Sequence, residues 1–399
     1  MITDELKYRI LQQFGFAPTD GQNRAIDVFG MFMTDRNDRV AMILRGSAGT
    51  GKTSLAGAMV RALASMKQKM ILLAPTGRAA KVFSLNAGQT AYTIHRRIYR
   101  QKTAGDLSGF SLNDNLNRDT LFIVDEASMV SNDSPGDFGS GCLLDDLMQF
   151  VYSGQNCRLL FIGDKAQLPP VGEEESPALV SEVIRSYGMH LYEFDLNEVL
   201  RQSSESGILW NATRIRSLVE PVPVDSLVLP KIRFKGFADI QVVPGDELVE
   251  SLASSYSNVG MDDTIVITRS NKRANIYNQG IRNTILDRED ELSRGDRLMI
   301  VKNNYYWLEQ TQLQAPQQEE SMPGASFIAN GDVCVVRRYR NERTLYGFRF
   351  ADATLQFPDF DDMEVETTIL LDTLQSEAPA LTQEQQTRLF HAVCADYPE

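Results

Sequence analysis

Three observations predict an α/β fold built on a doubly wound parallel sheet. Four short apolar runs occupy residues 40–44, 70–74, 121–124 and 159–162. Continuous apolar runs mark strands buried on both faces, as in parallel sheets. Each run is followed by turn chemistry and then by helical periodicity, which makes strand and helix alternate. A glycine-rich segment, GSAGTGKT over residues 46–53, sits between the first run and its helix.

In order along the chain, the first strand leads to a helix on which Leu55, Met59, Val60 and Leu63 share one face. The next three strands follow the same scheme, so ligand sites are expected at the carboxyl ends of the strands. This domain is expected to span residues 1–203. A second α/β segment is expected over 204–290, with a strand at 264–268 and a helix at 270–285. From 291 to 399 the pattern changes to short alternating stretches at 297–301, 331–339, 344–350 and 367–371. The pairs Asn330-Gly331 and Asn341-Glu342 are read as turns between them. Such a pattern predicts a small antiparallel sheet or barrel. Polar, Pro- or Gly-containing segments at 131–141 and 311–324 read as loops.

Composition excludes several classes. No run of eighteen apolar residues occurs, so no membrane-spanning helix is expected. The first fourteen residues mix charges and have no apolar core, which argues against secretion. Cys142, Cys157, Cys334 and Cys394 form no CxxC pair and read as reduced, buried thiols of a cytoplasmic protein. Three histidines without ligand spacing argue against structural zinc. The net charge of −13 is concentrated at one end. Residues 351–399 hold eleven acids and one base, Arg388, and so carry −10, which leaves −3 for residues 1–350. Nucleic-acid binding needs a basic track rather than a basic protein. Residues 78–102 supply one in Arg78, Lys81, Arg96, Arg97, Arg100 and Lys102, with Tyr92, His95 and Tyr99 between them.

The chemistry-bearing residues lie at the strand ends. Gly46, Ser47, Ala48, Gly49, Thr50, Gly51, Lys52 and Thr53 have the composition and strand-to-helix context of a phosphate-binding loop. Its backbone N–H groups and the following helix N-terminus attract phosphate oxygens. Lys52 is expected to reach the β- and γ-phosphates of ATP, and the Thr53 hydroxyl to hold Mg²⁺. Residues 121–126, LFIVDE, form a hydrophobic strand ending in two acids. Asp125 fits the Mg²⁺ shell, and Glu126 fits activation of the attacking water. No other metal is required. Gln167, in the GDKAQLPP turn after the fourth strand, is placed to touch both the γ-phosphate and that water.

The ordered set Gln22, GSAGTGKT, APTGRAAK, TIH, VDEAS, GDxxQLPP and LxEVLRQ resembles the superfamily-1 5′-to-3′ DNA helicases of the RecD, Dda and petite-integration-frequency type. The resemblance covers most of residues 15–205 and continues more weakly through Thr268-Arg269-Ser270-Asn271. It implies a P-loop NTPase of RecA-like fold, a partial second RecA-like domain and a small β-barrel insertion. It further implies that Gln22 reads adenine, Gln167 couples the γ-phosphate to DNA, and Arg201 approaches the γ-phosphate. Pro75, Thr76, His95, Arg97, Thr268 and Asn271 would line a single-stranded DNA channel. Residues 96–118 would form a wedge or hairpin, with Tyr99 or Phe110 stacking on bases. The implied activity is ATP-driven 5′-to-3′ movement on single-stranded DNA and unwinding at fork junctions, in repair or recombination.

The chain departs from the family after residue 291. An HKxQG-like segment and a TR-A segment bearing an ATP-site arginine are expected there, and the sequence to Glu399 contains neither. The expectation is a C-terminally truncated second motor domain in a fragment that binds nucleotide but hydrolyses it poorly, since such an arginine is worth about 10³–10⁵ in rate. Two other readings stay open: a regulatory nucleotide- and DNA-binding subunit of a recombination or nuclease complex, and a small-molecule kinase.

Overall fold

A computed structural model describes residues 2–101, 110–132, 140–170, 172–198, 206–219, 229–301, 328, 330–358, 362–374 and 381–396. The chain divides into two compact units, Met1–Ile240 and Gln241–Glu399.

The first unit is the predicted doubly wound, RecA-like α/β layer. It opens with α1 (Ile2–Phe14) and α2 (Asp20–Thr34), then β1 (Val40–Gly46), α3 (Lys52–Ser65), β2 (Lys69–Ala74) and α4 (Gly77–Ala87). Next come β3 (Ala91–Thr93), α5 (Ile94–Ile98), β4 (Tyr99–Gln101), β5 (Phe110–Leu112) and β6 (Thr120–Val124). It continues through α6 (Leu143–Ser153), β7 (Arg158–Gly163), α7 (Ser181–Ser186), β8 (His190–Leu196) and α8 (Gly207–Arg216). Six strands form one parallel sheet in the order β3-β2-β6-β7-β1-β8. All four apolar runs are strands of it, and β1 and β6 are buried along their whole length.

Because side chains alternate across a strand, each run feeds two cores. Val40, Met42 and Leu44 pack with Phe29, Leu55, Met59 and Phe83 on one face. Ala41 and Ile43 pack with Phe122, Phe161, Leu144 and Val151 on the other. The start of α2 is secured locally. Thr19 and Gln22 form a capping box, in which the Thr19 hydroxyl accepts from Gln22 N and the Gln22 Oε1 accepts from Thr19 N. Within residues 96–118, where a wedge or hairpin is expected, β4 and β5 pair antiparallel, and residues 102–109 lie outside the described residues.

In the second unit, α9 (Leu248–Asn258) and α10 (Asn271–Gly280) precede a four-stranded antiparallel sheet of order β12-β11-β10-β9. Its strands are β9 (Arg297–Met299), β10 (Val333–Leu345), β11 (Phe348–Phe357) and β12 (Met363–Leu370), and α11 (Gln383–Asp396) follows. Leu292, Cys334, Val336, Ala351, Leu355, Phe357 and Val365 form its core. This sheet is the expected β-rich insertion, although its turn is elsewhere than predicted. The hairpin turns at Tyr346-Gly347, whose φ values are +55° and +79°. Asn341-Glu342 instead lies inside β10, at an irregularity between Arg340 and Arg343 where Asn341 has φ +55°. An Asn in the left-handed region serves a bulge as well as a turn, so composition alone did not separate them.

Two further expectations are corrected. Residues 264–268 belong to no strand, and Ile265 and Ile267 are 82% and 88% exposed. An apolar run becomes a strand only where a neighbour supplies the hydrogen-bonding edge. The cysteines are free among the described residues, as expected, but only Cys157 and Cys334 are buried, and Cys394 is exposed on α11. No helix among the described residues is long and apolar enough to cross a membrane.

Candidate nucleotide site

The candidate phosphate-binding loop turns between β1 and α3 on two left-handed glycines, Gly49 (φ +82°) and Gly51 (φ +80°). Gly46 is required for a different reason. A β-carbon there would lie 2.8 Å from Leu196 Cβ and 2.9 Å from Thr50 Oγ1. Gly51 caps α3 without any side-chain hydrogen bond, so the first N–H groups of the helix remain available to an anion. Lys52 folds back on the loop, donating to the carbonyl of Gly46 and, at 2.9 Å, to that of Ser47. Burial lowers the affinity of its ammonium for a proton, against the pull of Asp164, Glu126 and Asp125, while Arg216 adds to the fall.

β6 delivers the two acids. Asp125 is 9% exposed, and its carboxylate accepts from Glu126 N at 3.0 Å. Burial chiefly, with the Glu126 charge, raises its pKa to about 6, against the Glu126 N–H and Lys52. Glu126 has φ +54°, an unusual backbone for a residue with a β-carbon and one that clusters at functional sites. The neighbouring β7 delivers Gln167. Its Oε1 accepts from the Ser128 hydroxyl at 2.5 Å, which ties the GDxxQ turn to the VDEAS turn. A cleft of about 650 Å³ is lined by Phe14, Phe16, Gln22, residues 47–49 and 51–54, Asp125, Glu126 and Gln167. The predicted nucleotide residues on β1, β6 and β7 thus share one wall.

Gln22 is 1% exposed and clasps the loop, with its Nε2 donating to the Thr50 carbonyl at 3.0 Å. Arg201 lies outside the described residues. Pro75 and Thr76 follow β2, and the Thr76 hydroxyl accepts from Ala79 N to cap α4. His95 and Arg97 are half-buried on α5. The His95 ring lies 5.7 Å from that of Tyr99, and burial makes it a weaker base than an ordinary histidine. Tyr99 is 8% exposed and donates its hydroxyl to Asp146 at 2.7 Å, so its ring belongs to the core rather than to a stacking platform. The side chain of Phe110 lies outside the described residues. Thr268 and Asn271 belong to the second unit, where Thr268 donates to the Ser270 carbonyl and Asn271 opens α10.

Three participants escaped the sequence reading. Ser128 and Asp164 stand inside the VDEAS and GDxxQLPP segments, where position offered a signal that residue type did not. Arg216 offered none, because a basic residue in the last turn of a helix is ordinary.

The sequence profile of the AAA domain family matches residues 19–217. The ATP-dependent DNA helicase dda of Enterobacteria phage T4 is 25% identical over 303 residues, covering 71% of this chain and 60% of that one. The ATP-dependent RecD2 DNA helicase of Deinococcus radiodurans is 36% identical over 132 residues, covering 33% of this chain and 16% of that one. The chain therefore spans less than two thirds of the length of these relatives. Among solved structures, the Pif1 helicase from Bacteroides in complex with ADP-AlF3 and ssDNA aligns at a TM-score of 0.44 and 15% identity. That alignment covers 88% of this chain and 74% of that one. With an AAA domain match over residues 19–217 and the ordered motif set within it, the chain resembles the superfamily-1 helicases of the RecD, Dda and petite-integration-frequency type.

Proposed function

We propose that this chain is the ATP-binding part of a DNA helicase that couples ATP hydrolysis to movement along single-stranded DNA. The observation that carries the reading is the convergence of Lys52, Thr53, Asp125, Glu126 and Gln167 on one cleft. Loop N–H groups and the open end of α3 receive the phosphates, and Lys52 exchanges its carbonyl partners for phosphate oxygens. Thr53 and Asp125 are the oxygen donors for Mg²⁺, which spreads the phosphate charge when bound. Among the described residues no cluster of three or more His, Cys, Asp or Glu side chains competes as a metal site. Two protein oxygens suit a cation that keeps phosphate and water ligands. Glu126 accepts the proton of the attacking water, and Gln167, positioned through Ser128, orients it.

Gln22 keeps one amide hydrogen and one carbonyl lone pair beyond its bonds to Thr50 and Thr19, and these are proposed to meet adenine. Arg201 is proposed at the γ-phosphate. Pro75, Thr76, His95, Arg97, Thr268 and Asn271 are proposed to contact single-stranded DNA, and the parent activity to run 5′-to-3′ at fork junctions. These parts rest on the family resemblance and on the names of the relatives, both ATP-dependent DNA helicases.

The test is a titration of labelled single-stranded DNA with and without a non-hydrolysable ATP analogue, at two salt concentrations, beside Lys52→Ala. DNA affinity is expected to fall with salt and to respond to the analogue only when Lys52 is present. Analogue binding without any DNA binding would count against the helicase reading.

A further inference from the structure

Asp164 is the meeting point of three segments. Its Oδ2 accepts from Ala48 N of the phosphate-binding loop at 3.1 Å, and its Oδ1 from Ala166 N at 3.0 Å. Its backbone carbonyl accepts from Gln167 N at 3.1 Å. From α8, Arg216 donates to both oxygens, at 2.9 Å to Oδ1 and 3.2 Å to Oδ2. The carboxylate is 5% exposed and lies 4.0 Å from the Lys52 ammonium. A buried anion at that distance has two consequences if it is left uncompensated. It competes with phosphate for Lys52, and it repels an incoming triphosphate. A bidentate guanidinium removes both, because it neutralises the carboxylate and fixes its direction.

Arg216 does not reach Asp164 by chance of a loose helix. α8 is capped by Ser206, whose hydroxyl donates to Asp239 at 2.6 Å, and Gly207 N donates to the same carboxylate at 2.7 Å. Midway along, Asn211 exchanges hydrogen bonds with the backbone of Arg233 in both directions, each 2.8 Å. The helix is held at its start and its middle, and its last turn presents Arg216.

We propose that Arg216 is a positioning residue of the nucleotide site, one that neutralises Asp164 and holds it on the phosphate-binding loop so that Lys52 stays available to phosphate. The proposal rests on reading the cleft as an ATP site. It differs from a purely structural role because its effect must scale with the charge of the ligand.

The experiment is calorimetric titration of the wild-type chain with a non-hydrolysable ATP analogue, ADP and adenosine. The same titrations are made on Arg216→Ala, Arg216→Lys and the double variant Asp164→Asn/Arg216→Ala, each with its melting temperature. Arg216→Ala is expected to weaken the triphosphate about tenfold, the diphosphate less, and adenosine not at all. Arg216→Lys should recover part of the loss. The double variant should return to within about threefold of wild type, since the asparagine still accepts from Ala48 N without a charge to compensate. An equal loss for all three ligands, unchanged affinity in Arg216→Ala, or no recovery in the double variant would overturn the proposal. A folded wild-type chain that binds none of the ligands would instead remove the ATP-site reading, and this inference with it.

Discussion

The two ends of the same architectural scheme behave differently in this molecule. In the first unit α3 buries Leu55, Ala56, Gly57, Ala58, Met59, Val60, Ala62 and Leu63 against a six-stranded sheet. In the second unit α9 and α10 bury no residue at all, and the apolar stretch beside them leaves Ile265 and Ile267 exposed. The local sequences of α3 and α9 are comparable, each a helix with apolar side chains in a region that also holds an apolar run, whereas α10 is mostly polar. What differs is the supply of neighbours. β1 has β7 on one side and β8 on the other. Residues 264–268 have no strand partner among the described residues. An apolar stripe therefore encodes a preference for burial, and only a packed partner converts that preference into stability.

The largest expected contrast is in amide hydrogen exchange. Central β1, β6 and β7 should exchange only through opening of the whole unit, while α9 and α10 should exchange through local opening, at least about a thousandfold faster. Equal protection in α9 and β7 would break the comparison. Substitution should tell the same story at smaller scale. Phe161 is fully buried between strand and helix, and Phe161→Ala should cost about 3–5 kcal/mol in denaturant unfolding of the first unit. Ile267→Ala should fall within about 0.5 kcal/mol of wild type, and a cost of several kcal/mol would mean that Ile267 is buried in solution.

Capping gives a finer probe. The Ser270 hydroxyl accepts from Arg273 N and is the cap of α10, a helix with no buried face. Ser270→Ala should lower local helix stability by about 1 kcal/mol, read as faster exchange confined to residues 271–280.

The smallest effect sharpens the first unit's side. Glu193 on β8 accepts from Arg45 at 2.7 Å, from Arg185 at 2.6 Å and from the Ser181 hydroxyl. Burial alone would raise its carboxyl, but these partners, Ser181 first, bring its pKa down to about 2. A folded value below the ordinary 4.5 adds stability above that pH and loses it as the pH falls towards 2. The melting temperature of Glu193→Gln should thus lie below wild type at pH 7, with the gap closing between pH 4.5 and 2. A gap that does not change over that range would exclude the ion-pair account.

Much of the candidate site is legible in the sequence. Residues 46–53 carry their own geometry, because two glycines at φ near +80° and a helix start are local properties. The four apolar runs specified their strands for the same reason: continuous burial leaves a continuous pattern. The reading failed where the outcome depended on distant partners. Tyr99 looked like a stacking ring beside a basic stretch, yet Asp146, 47 residues away, holds its hydroxyl in the core. Residues 264–268 looked like a strand, and no partner makes them one.

By itself the sequence determined the glycine turn between β1 and α3, the acids at the end of β6, the parallel sheet of the first unit and the β-rich character of the second. Only the tertiary structure decided that Gln22 clasps the Thr50 carbonyl, that Ser128 steers Gln167, and that Arg216 compensates Asp164 across 52 residues. Turn and capping preferences act within a few residues, and burial leaves a periodic trace. Tertiary hydrogen bonds and charge compensation act through space, and their partners can stand anywhere along the chain that the fold brings within about 4 Å.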